Sequence, residues 1–129
     1  MNNAKKDATD SSSLKSNVAI ALIRATFNNT HISVHTLSGA VIAWSSSGQC
    51  GFKGSKKSTP YAGAVAAENV SKKAIAKGIK TVGIILKGPG AGRESAVKAI
   101  HESGLKITFL KDVTSLPHNG CRSKKKRRI

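Results

Sequence analysis

The stretch KTVGIILKGPGAGRESAVKAI, residues 80–100, decides the fold, because its apolar pattern changes in the middle. Residues 80–88 are apolar on both faces of an extended chain, which is typical of a central, buried strand. A turn of glycines and one proline follows, and residues 93–103 have the apolar spacing of a helix that Gly104 would end. A helix after a strand returns the chain for another strand parallel to the first. This stretch therefore predicts a parallel half-sheet.

The residues before this stretch predict an antiparallel meander of three strands. Two short polar pairs separate the strands and are expected to form two-residue turns. These pairs are Ser38–Gly39 and Asn28–Asn29, the latter because asparagine tolerates a positive φ. The strands are predicted at residues 18–27, 30–37 and 40–46.

A first helix is predicted between the meander and the central strand. Pro60 suits its first turn, and Ser58 or Thr59 can cap it. Its narrow stripe of small apolar side chains, which includes Val65, implies close packing on the sheet. Residues 105–113 form the last predicted strand. The order β-β-β-α-β-α-β predicts a single α/β domain with a mixed five-stranded sheet, in which an antiparallel meander joins a parallel half, and two main helices on its faces.

Composition divides the chain into three parts. Residues 1–17 are polar and rich in serine, which is typical of a flexible arm. Residues 18–113 contain all the periodic segments and form the predicted α/β domain. Residues 114–129 have no periodicity and end in lysines and arginines. We expect this basic tail to stay disordered until something outside the chain neutralises it.

The charge of the chain points to a polyanionic partner. The 129 residues contain 22 lysines and arginines against six acidic residues, a formal net charge of +16. An excess of this size repels itself unless a polyanion compensates it. No apolar run approaches the roughly 20 residues of a transmembrane helix, and neither a signal peptide nor a lipidation motif is indicated. These observations favour nucleic acid over a membrane.

Enzymatic sites and cofactors are not indicated. Residues 11–67 contain no Asp or Glu, whereas two-metal phosphoryl chemistry needs several carboxylates converging on the strands. The turn GPGAGR, residues 88–93, departs from the dinucleotide fingerprint, and no P-loop is present. Cys50 and Cys121 do not form a ligand cluster, and the two histidines of the second strand do not complete one. We therefore expect no enzyme, no metal and no cofactor.

Two glycine-containing segments are candidate contacts with RNA phosphates. The first carries Lys53, Lys56 and Lys57, and its glycines let the backbone approach a phosphate closely. Phe52 beside them either stacks on an unpaired base or anchors the loop under the sheet. In GPGAGR the backbone N–H groups and Arg93 can bind an anion at a helix N-terminus, or the segment is a tight turn, and both interpretations can hold together.

The tail carries the densest charge. Contacts of its cations with phosphates would release counterions and supply much of the affinity, and a nuclear-localisation signal is the alternative that the pattern allows. Before these cations, Pro117 and Asn119–Gly120 predict a turn with two positive φ angles. Asparagine before glycine is also prone to deamidation, so isoaspartate is expected at Asn119 in part of the population. The six cations are Arg122, Lys124, Lys125, Lys126, Arg127 and Arg128.

Four motifs make the chain resemble a known family. They are similar, in order and spacing, to those of the uS11 family of bacterial-type small-subunit ribosomal proteins, and the likeness covers about residues 18–129. The resemblance implies a ribonuclease-H-like sheet without the nuclease carboxylates and a structural role in translation. The motifs are ATFNNT (25–30), WSSSGQCGFKGSKKSTPYA (44–62), KGPGAGRESAVKAI (87–100) and DVTSLPHNGCRSKKKRRI (112–129).

The resemblance also implies partners and contacts. Members of the family bind 16S-type ribosomal RNA on the platform of the small subunit, near the messenger exit and the Shine–Dalgarno cleft, beside other platform proteins. The expected location is a ribosome, in a bacterial cytoplasm or a plastid stroma. The matching positions imply RNA contact by Lys53, Lys56, Lys57, Arg93, Asn119, Arg122 and the terminal cations.

Two departures from the family pattern change these expectations. Ser123–Lys124 stand where two prolines usually follow the arginine, so the tail should be less rigid. The N-terminal arm, usually strongly basic, here mixes lysines with Asp7 and Asp10, which leaves its RNA contacts open.

Overall fold

The computed structural model describes residues 17–128, which form five strands and two α-helices in the predicted order. Of the flexible arm predicted at residues 1–17, all but Asn17 lies outside the described residues, as does Ile129. A short 3-10 helix, Gly54–Ser58, precedes the first α-helix. The elements are β1 (Val18–Ala25), β2 (Thr30–His35), β3 (Val41–Ser46), α1 (Pro60–Ala76), β4 (Thr81–Lys87), α2 (Gly92–Glu102) and β5 (Lys106–Asp112).

The five strands form one mixed sheet in the order β3-β2-β1-β4-β5. β1 pairs antiparallel with β2, and β2 with β3, so the first three strands form the predicted meander. β4 lies parallel to both β1 and β5. Ala21 at the centre of β1 has Val34 as its partner on β2 and Ile84 as its partner on β4. The prediction of an α/β fold with a mixed five-stranded sheet is confirmed.

Both helices cover the same face of the sheet, whereas the sequence predicted helices on its faces. α1 lies over β2 and β3, and α2 lies over β1. Ala19, Ala21 and Ile23 of β1 are fully buried beneath them. Val70 of α1 and Ile100 of α2 join the same core. Alanine side chains on β1 leave room for the two helices to pack side by side.

No helix of residues 17–128 packs on the opposite face of the sheet. The β1 residues on that face, Val18, Ile20 and Leu22, are larger than the alanines beneath the helices, yet they stay partly exposed. β4 was expected to be buried on both faces, but Ile85 is only partly buried. The physical reason is that the two helices pack against each other and share one face.

The first turns of the two helices touch through glycine. A Cβ atom at Gly63 of α1 would lie 3.0 Å from both Cα and the carbonyl oxygen of Gly92, the first residue of α2. A Cβ atom at Gly92 would lie 2.3 Å from the hydroxyl oxygen of Thr30. The Ser95 hydroxyl donates to the Pro60 carbonyl at 2.7 Å, which ties the two helix starts together. Only glycine permits this approach.

Thr59 caps α1 as predicted, since its hydroxyl oxygen accepts the Ala62 N–H at 3.3 Å.

The pairing of the two helices widens the buried face of α1. Val65, predicted to lie in the apolar stripe, is only partly buried, whereas Ala67 and Ser71 are buried. Ala67 and Ser71 follow Gly63 at intervals of four residues, so they share the face on which α1 meets α2.

The turn between β1 and β2 is centred one residue earlier than predicted. The Thr26 N–H donates to the Asn29 carbonyl at 2.8 Å, so Phe27 and Asn28 are the central residues. The Thr26 hydroxyl oxygen accepts the Asn29 N–H at 3.0 Å. Neither asparagine has a positive φ, so the predicted reason for this turn was wrong. The threonine hydroxyl supplies a hydrogen bond that holds the turn without a left-handed residue.

The substitution Gly63→Val tests the contact between the helices. Its side chain would meet the backbone of α2, which has no side chain there that can move aside. We expect the free energy of unfolding in urea to fall by about 2 kcal/mol, as for other overpacked cores. The control Ala76→Val, at the exposed end of α1, should cost only the lower helix propensity of valine, under about 1 kcal/mol. Equal losses in the two variants would contradict the close approach.

Candidate nucleic-acid interface

The loop that carries the three lysines, the GPGAGR turn and the start of the tail meet at one edge of the sheet, where the parallel strands β1, β4 and β5 end. Backbone hydrogen bonds hold them there: the Ser47 N–H donates to the Thr30 carbonyl at 3.0 Å, and the Gly90 N–H donates to the Ala25 carbonyl at 2.8 Å. We call this surface the loop edge. It comprises residues 26–29, 47–59, 88–93 and 113–116.

The lysines of the loop edge lie on a compact loop. Residues Gly54–Ser58 form its 3-10 helix, which exposes Lys56, and Lys53 precedes it on the surface. Lys57 is partly buried, because its aliphatic stem passes close to Gly48. The ammonium groups of Lys53 and Lys56 are therefore the best placed of the three to meet a phosphate.

Phe52 packs against another aromatic side chain of the protein. Its ring meets that of Tyr61 edge to face, with the ring centroids 5.9 Å apart and an interplanar angle of 79°. Phe52 is partly buried, whereas Tyr61 is 71 % exposed. This geometry favours the interpretation of Phe52 as a loop anchor. Tyr61 is the aromatic ring that this contact presents to solvent.

The glycine turn at residues 88–91 uses its N–H groups within the protein. Gly90 donates to Ala25, and the Gly88 N–H donates to the Thr114 hydroxyl oxygen at 3.2 Å. Gly88 has a φ of +99°, and a Cβ atom there would lie 2.2 Å from the Ala25 carbonyl oxygen. These contacts support the tight-turn interpretation of GPGAGR, because two of its donors are already satisfied.

The first turn of α2 keeps the anion-binding alternative open. No side chain of residues 17–128 caps this helix, whose N-cap position is Ala91. The first N–H groups of an uncapped helix have no partner inside the helix, and its dipole favours a negative charge. A phosphate would therefore be favoured at the start of α2, next to the glycine turn.

Arg93 is engaged with an acidic residue. Its guanidinium donates to the Asp112 carboxylate at 2.5 Å, and its side chain is only 26 % exposed. The Thr114 hydroxyl and backbone N–H donate to the other Asp112 oxygen at 2.5 and 2.9 Å. The two Thr114 hydrogen bonds, followed by the Arg93 contact, lower the pKa of Asp112 to about 2. A phosphate at Arg93 would have to share the guanidinium with Asp112.

The tail leaves the domain at the loop edge. Thr114 is fixed there by its hydrogen bonds to Gly88 and Asp112, and all residues from 114 to 128 are exposed. Asn119 has a φ of +62°, whereas Gly120 does not have a positive φ. The predicted turn with two positive φ angles was therefore wrong in its second position. The exposed residues include Arg122 and Lys124, Lys125, Lys126, Arg127 and Arg128.

Cations outnumber acids at the loop edge. No Asp or Glu belongs to the loop edge, and the acids directly beside it are Asp112, which pairs with Arg93, and Glu94 in the first turn of α2. Glu68 is on α1, where it pairs with Lys72 at 3.1 Å. Against these acids stand the three lysines of the loop, and the six cations of the tail follow the segment that leaves this edge. The loop edge therefore has a net positive charge.

Three residues at or beside this edge were not among the candidates that the sequence patterns indicated. One is Tyr61, which could have been identified because it directly follows the capping residue and the proline at the start of α1. The others are Arg24 and Lys87, which are partners on adjacent strands. They line a cleft of about 220 Å³ together with Gly88, Pro89 and the start of the tail. The feature that could have identified them is a cation at or next to the end of an apolar strand.

The two cysteines do not form a site together. Cys50 is partly buried, and its Sγ lies 3.5 Å from Ser45 Oγ and from Asn69 Nδ2. Cys121 lies on the exposed tail. Within the described part of the chain, no group of three or more His, Cys, Asp or Glu side chains could hold a metal ion. Neither helix described there is long and apolar enough to cross a membrane.

Comparison with known proteins identifies the family of this chain. Residues 19–128 match the family described as Ribosomal protein S11. The Small ribosomal subunit protein uS11 of the bacterium Desulfovibrio desulfuricans is 54 % identical over 112 residues, which cover 87 % of this chain and 87 % of the relative. The chain belongs to the ribosomal protein S11 family, as its four motifs predicted. It is therefore a constituent of the ribosome and takes part in translation.

The hydrogen bonds around Asp112 predict its titration. Because its pKa in the folded chain, about 2, lies below the ordinary 3.8, its contribution to stability is complete above the ordinary value and is lost as the pH falls through about 2. A carboxyl-carbon NMR titration should place the midpoint near that value. Thr114→Val should raise the pKa of Asp112, whereas Ser115→Ala should leave it unchanged. An ordinary midpoint in the unaltered chain would contradict the described network.

Proposed function

We propose that this chain is a structural, non-enzymatic constituent of the small ribosomal subunit that binds 16S-type ribosomal RNA. The proposed position is the platform, near the messenger exit and the Shine–Dalgarno cleft. Membership of the family and the name of the bacterial relative support the subunit. The net charge of +16 supports RNA as the partner.

The convergence of the loop edge carries this proposal. Three segments lie on one side of the molecule: the lysine loop (residues 47–59), the start of α2 and the origin of the tail. Hydrogen bonds at Thr30, Ala25 and Gly88 tie them together. A single RNA element can therefore contact all of them at once. Several phosphate contacts made together give the high, salt-dependent affinity typical of RNA-binding proteins.

Each predicted contact has a proposed role at this edge. Lys53 and Lys56 meet phosphates directly, and Lys57 adds charge behind them. Arg93 acts with the first turn of α2, where it holds Asp112 and a phosphate together. In the tail, Asn119 and the cations from Arg122 to Arg128 follow the RNA backbone. The tail, residues 114–129, is proposed to be disordered until RNA binds, and residues 18–113 to form the RNA-binding domain.

An enzyme of nucleic-acid cleavage is the rival that the topology suggests. The strand order β3-β2-β1-β4-β5 supports a ribonuclease-H-like topology, and such sheets can host two-metal catalysis. The acids of the described residues do not fit that chemistry, which needs several converging carboxylates. Glu68 pairs with Lys72, and Asp112 is held by Arg93. A binding role is therefore favoured over catalysis.

The proposed surroundings follow from the subunit. Neighbouring platform proteins are the expected protein partners, and the messenger RNA passes nearby. The bacterial relative supports a ribosome of the bacterial type, which operates in a bacterial cytoplasm or a plastid stroma. No membrane contact and no cofactor are proposed.

A salt titration of binding to a platform fragment of small-subunit RNA tests the role of the tail. We compare the full chain with a chain truncated after Cys121. If each of the six tail cations meets a phosphate, truncation should flatten the slope of log affinity against log salt by about 4 to 5 units. The lost affinity should be largest at low salt, because screening weakens such contacts.

A chain of full length with the six cations replaced by glutamine is the matched control. It should lose the same slope as the truncated chain, since the effect is electrostatic. The loop variant with Lys53, Lys56 and Lys57 replaced by glutamine should lose a smaller slope, about 2 units. An unchanged slope on truncation would mean that the tail contacts something other than RNA.

Deamidation at Asn119 is a separate prediction. Asn119 is exposed and has a positive φ, and the glycine that follows it offers little steric protection. Peptide mapping of aged protein should find isoaspartate at position 119 in part of the population. Asn69, which lies within α1, is the internal control and should stay intact. Equal preservation of both asparagines would refute the prediction.

A further inference from the structure

The face of the sheet opposite the helices carries a continuous row of side chains. The strand registers place Trp44, Ser33, Leu22, Ile85 and Lys111 side by side across β3, β2, β1, β4 and β5. The helices cover the other side, so these side chains are directed away from the core. We call this surface the open face, defined by this row and its neighbours on the same side.

Trp44 forms an aromatic pair at one side of the open face. Its ring stacks on that of His31, with the centroids 5.8 Å apart and an interplanar angle of 14°. Trp44 nevertheless remains 46 % exposed. Lys73 of α1 donates to the Trp44 carbonyl at 3.2 Å, which holds the strand in place. A flat ring with a fixed backbone and an exposed surface suits stacking with an unpaired base.

A second ring lies over the other half of the open face. Gly83 on β4 has no side chain, and the Phe109 ring occupies the vacant space, since a Cβ atom at Gly83 would lie 2.1 Å from that ring. Phe109 is also 46 % exposed. β4 lies three strands from β3, roughly 14 Å at the usual strand spacing. An extended RNA strand can span that separation with a few nucleotides.

The charges of the open face suit a polyanion. Strands β1 to β4 contain no Asp or Glu. The acid of β5, Asp112, is the partner of the buried Leu86 and bonds to Arg93 of α2, which places it on the helix side. Arg24 and Lys87 are neighbours in the next row, beside His31. This surface thus combines exposed aromatic rings with cations and no acidic residue from these four strands.

The open face continues into the loop edge. Arg24 and Lys87 belong to the strand ends that form both surfaces, and their cleft also contains Gly88 and Thr114, where the tail starts. An RNA strand held by the lysine loop or the tail would reach this cleft without leaving the protein. Continuity with the proposed RNA-binding edge favours RNA over a protein as the occupant of the open face.

We propose that the open face is a second RNA-binding surface, on which an unpaired segment stacks a base on Trp44 and places phosphates at Arg24 and Lys87. Phe109 supports a further base toward β5. This inference rests on the proposed function, because it assumes that the chain binds RNA. It adds a reader of unpaired bases to the phosphate contacts of the loop edge.

The single tryptophan of the chain makes the proposal directly measurable. The full chain is titrated with the platform RNA fragment and with an unpaired oligoadenylate, while Trp44 emission and its quenching by acrylamide are recorded. A stacked base should quench the emission and protect the ring from acrylamide. Trp44→Leu should weaken oligoadenylate binding about tenfold, whereas Trp44→Phe should retain most of the affinity.

The double variant Arg24→Gln/Lys87→Gln keeps the fluorophore and provides a second test. It should bind the oligoadenylate more weakly and show less protection of Trp44 at equal RNA concentration. A replacement of equal charge on the helix side, Lys72→Gln/Lys98→Gln, is the control and should leave Trp44 protection unchanged. Circular dichroism confirms that each variant is folded before binding is compared.

The outcomes separate this inference from the proposed function. If RNA binds while the emission and acrylamide access of Trp44 stay unchanged, the open face is not an RNA surface, and the function proposed for the loop edge still stands. If RNA alone never protects Trp44 and cross-linking in assembled subunits places Trp44 against a protein, a protein occupies the face and the inference is wrong. If no RNA binds the full chain, the proposed function itself fails.

Discussion

The close contact between Gly63 and Gly92 is the constraint on which the rest of the structure depends. It brings the first turns of α1 and α2 together beside Thr30, at the edge where the parallel strands end. A side chain at Gly63 would meet the backbone of Gly92, and one at Gly92 would meet the side chain of Thr30. Because the helix starts are fixed at one edge, the lysine loop before α1 and the glycine turn before α2 are fixed there too.

The edge divides its hydrogen-bonding groups between two tasks. The glycine turn gives its N–H groups to Ala25 and Thr114, and Arg93 gives part of its guanidinium to Asp112. These groups build a rigid base from which the tail leaves. The exposed lysines of the loop and the cations of the tail are the groups that we propose to bind phosphates. For a tail that is disordered until RNA binds, as we propose, a rigid origin limits the volume that the tail must search.

The placement of both helices on one face has a second consequence. It collects the described acids on the helix side, where Glu68, Glu94 and Glu102 lie on helices and Asp112 faces Arg93. The opposite face keeps aromatic rings and cations. Strands β1 to β4 themselves contain no Asp or Glu. The open face is therefore free of the carboxylates of these four strands, and it is the surface that we propose as a second RNA-binding site.

The sequence by itself determined the order of elements, the mixed sheet, the cationic segments and the family, because periodicity, turn residues and motifs are local properties of the chain. It did not determine which face of β1 the helices cover. Ala21 and Leu22 both belong to apolar faces, and hydrophobicity alone would favour burying the larger one. The tertiary structure decided otherwise: the two helices, which meet through glycine, pack side by side on the face where β1 presents small side chains such as Ala21. The pairing of Arg93 with Asp112 and the stacking of Trp44 on His31 were also beyond the sequence. The first depends on where the start of α2 lies relative to the end of β5, and the second on the register between β2 and β3.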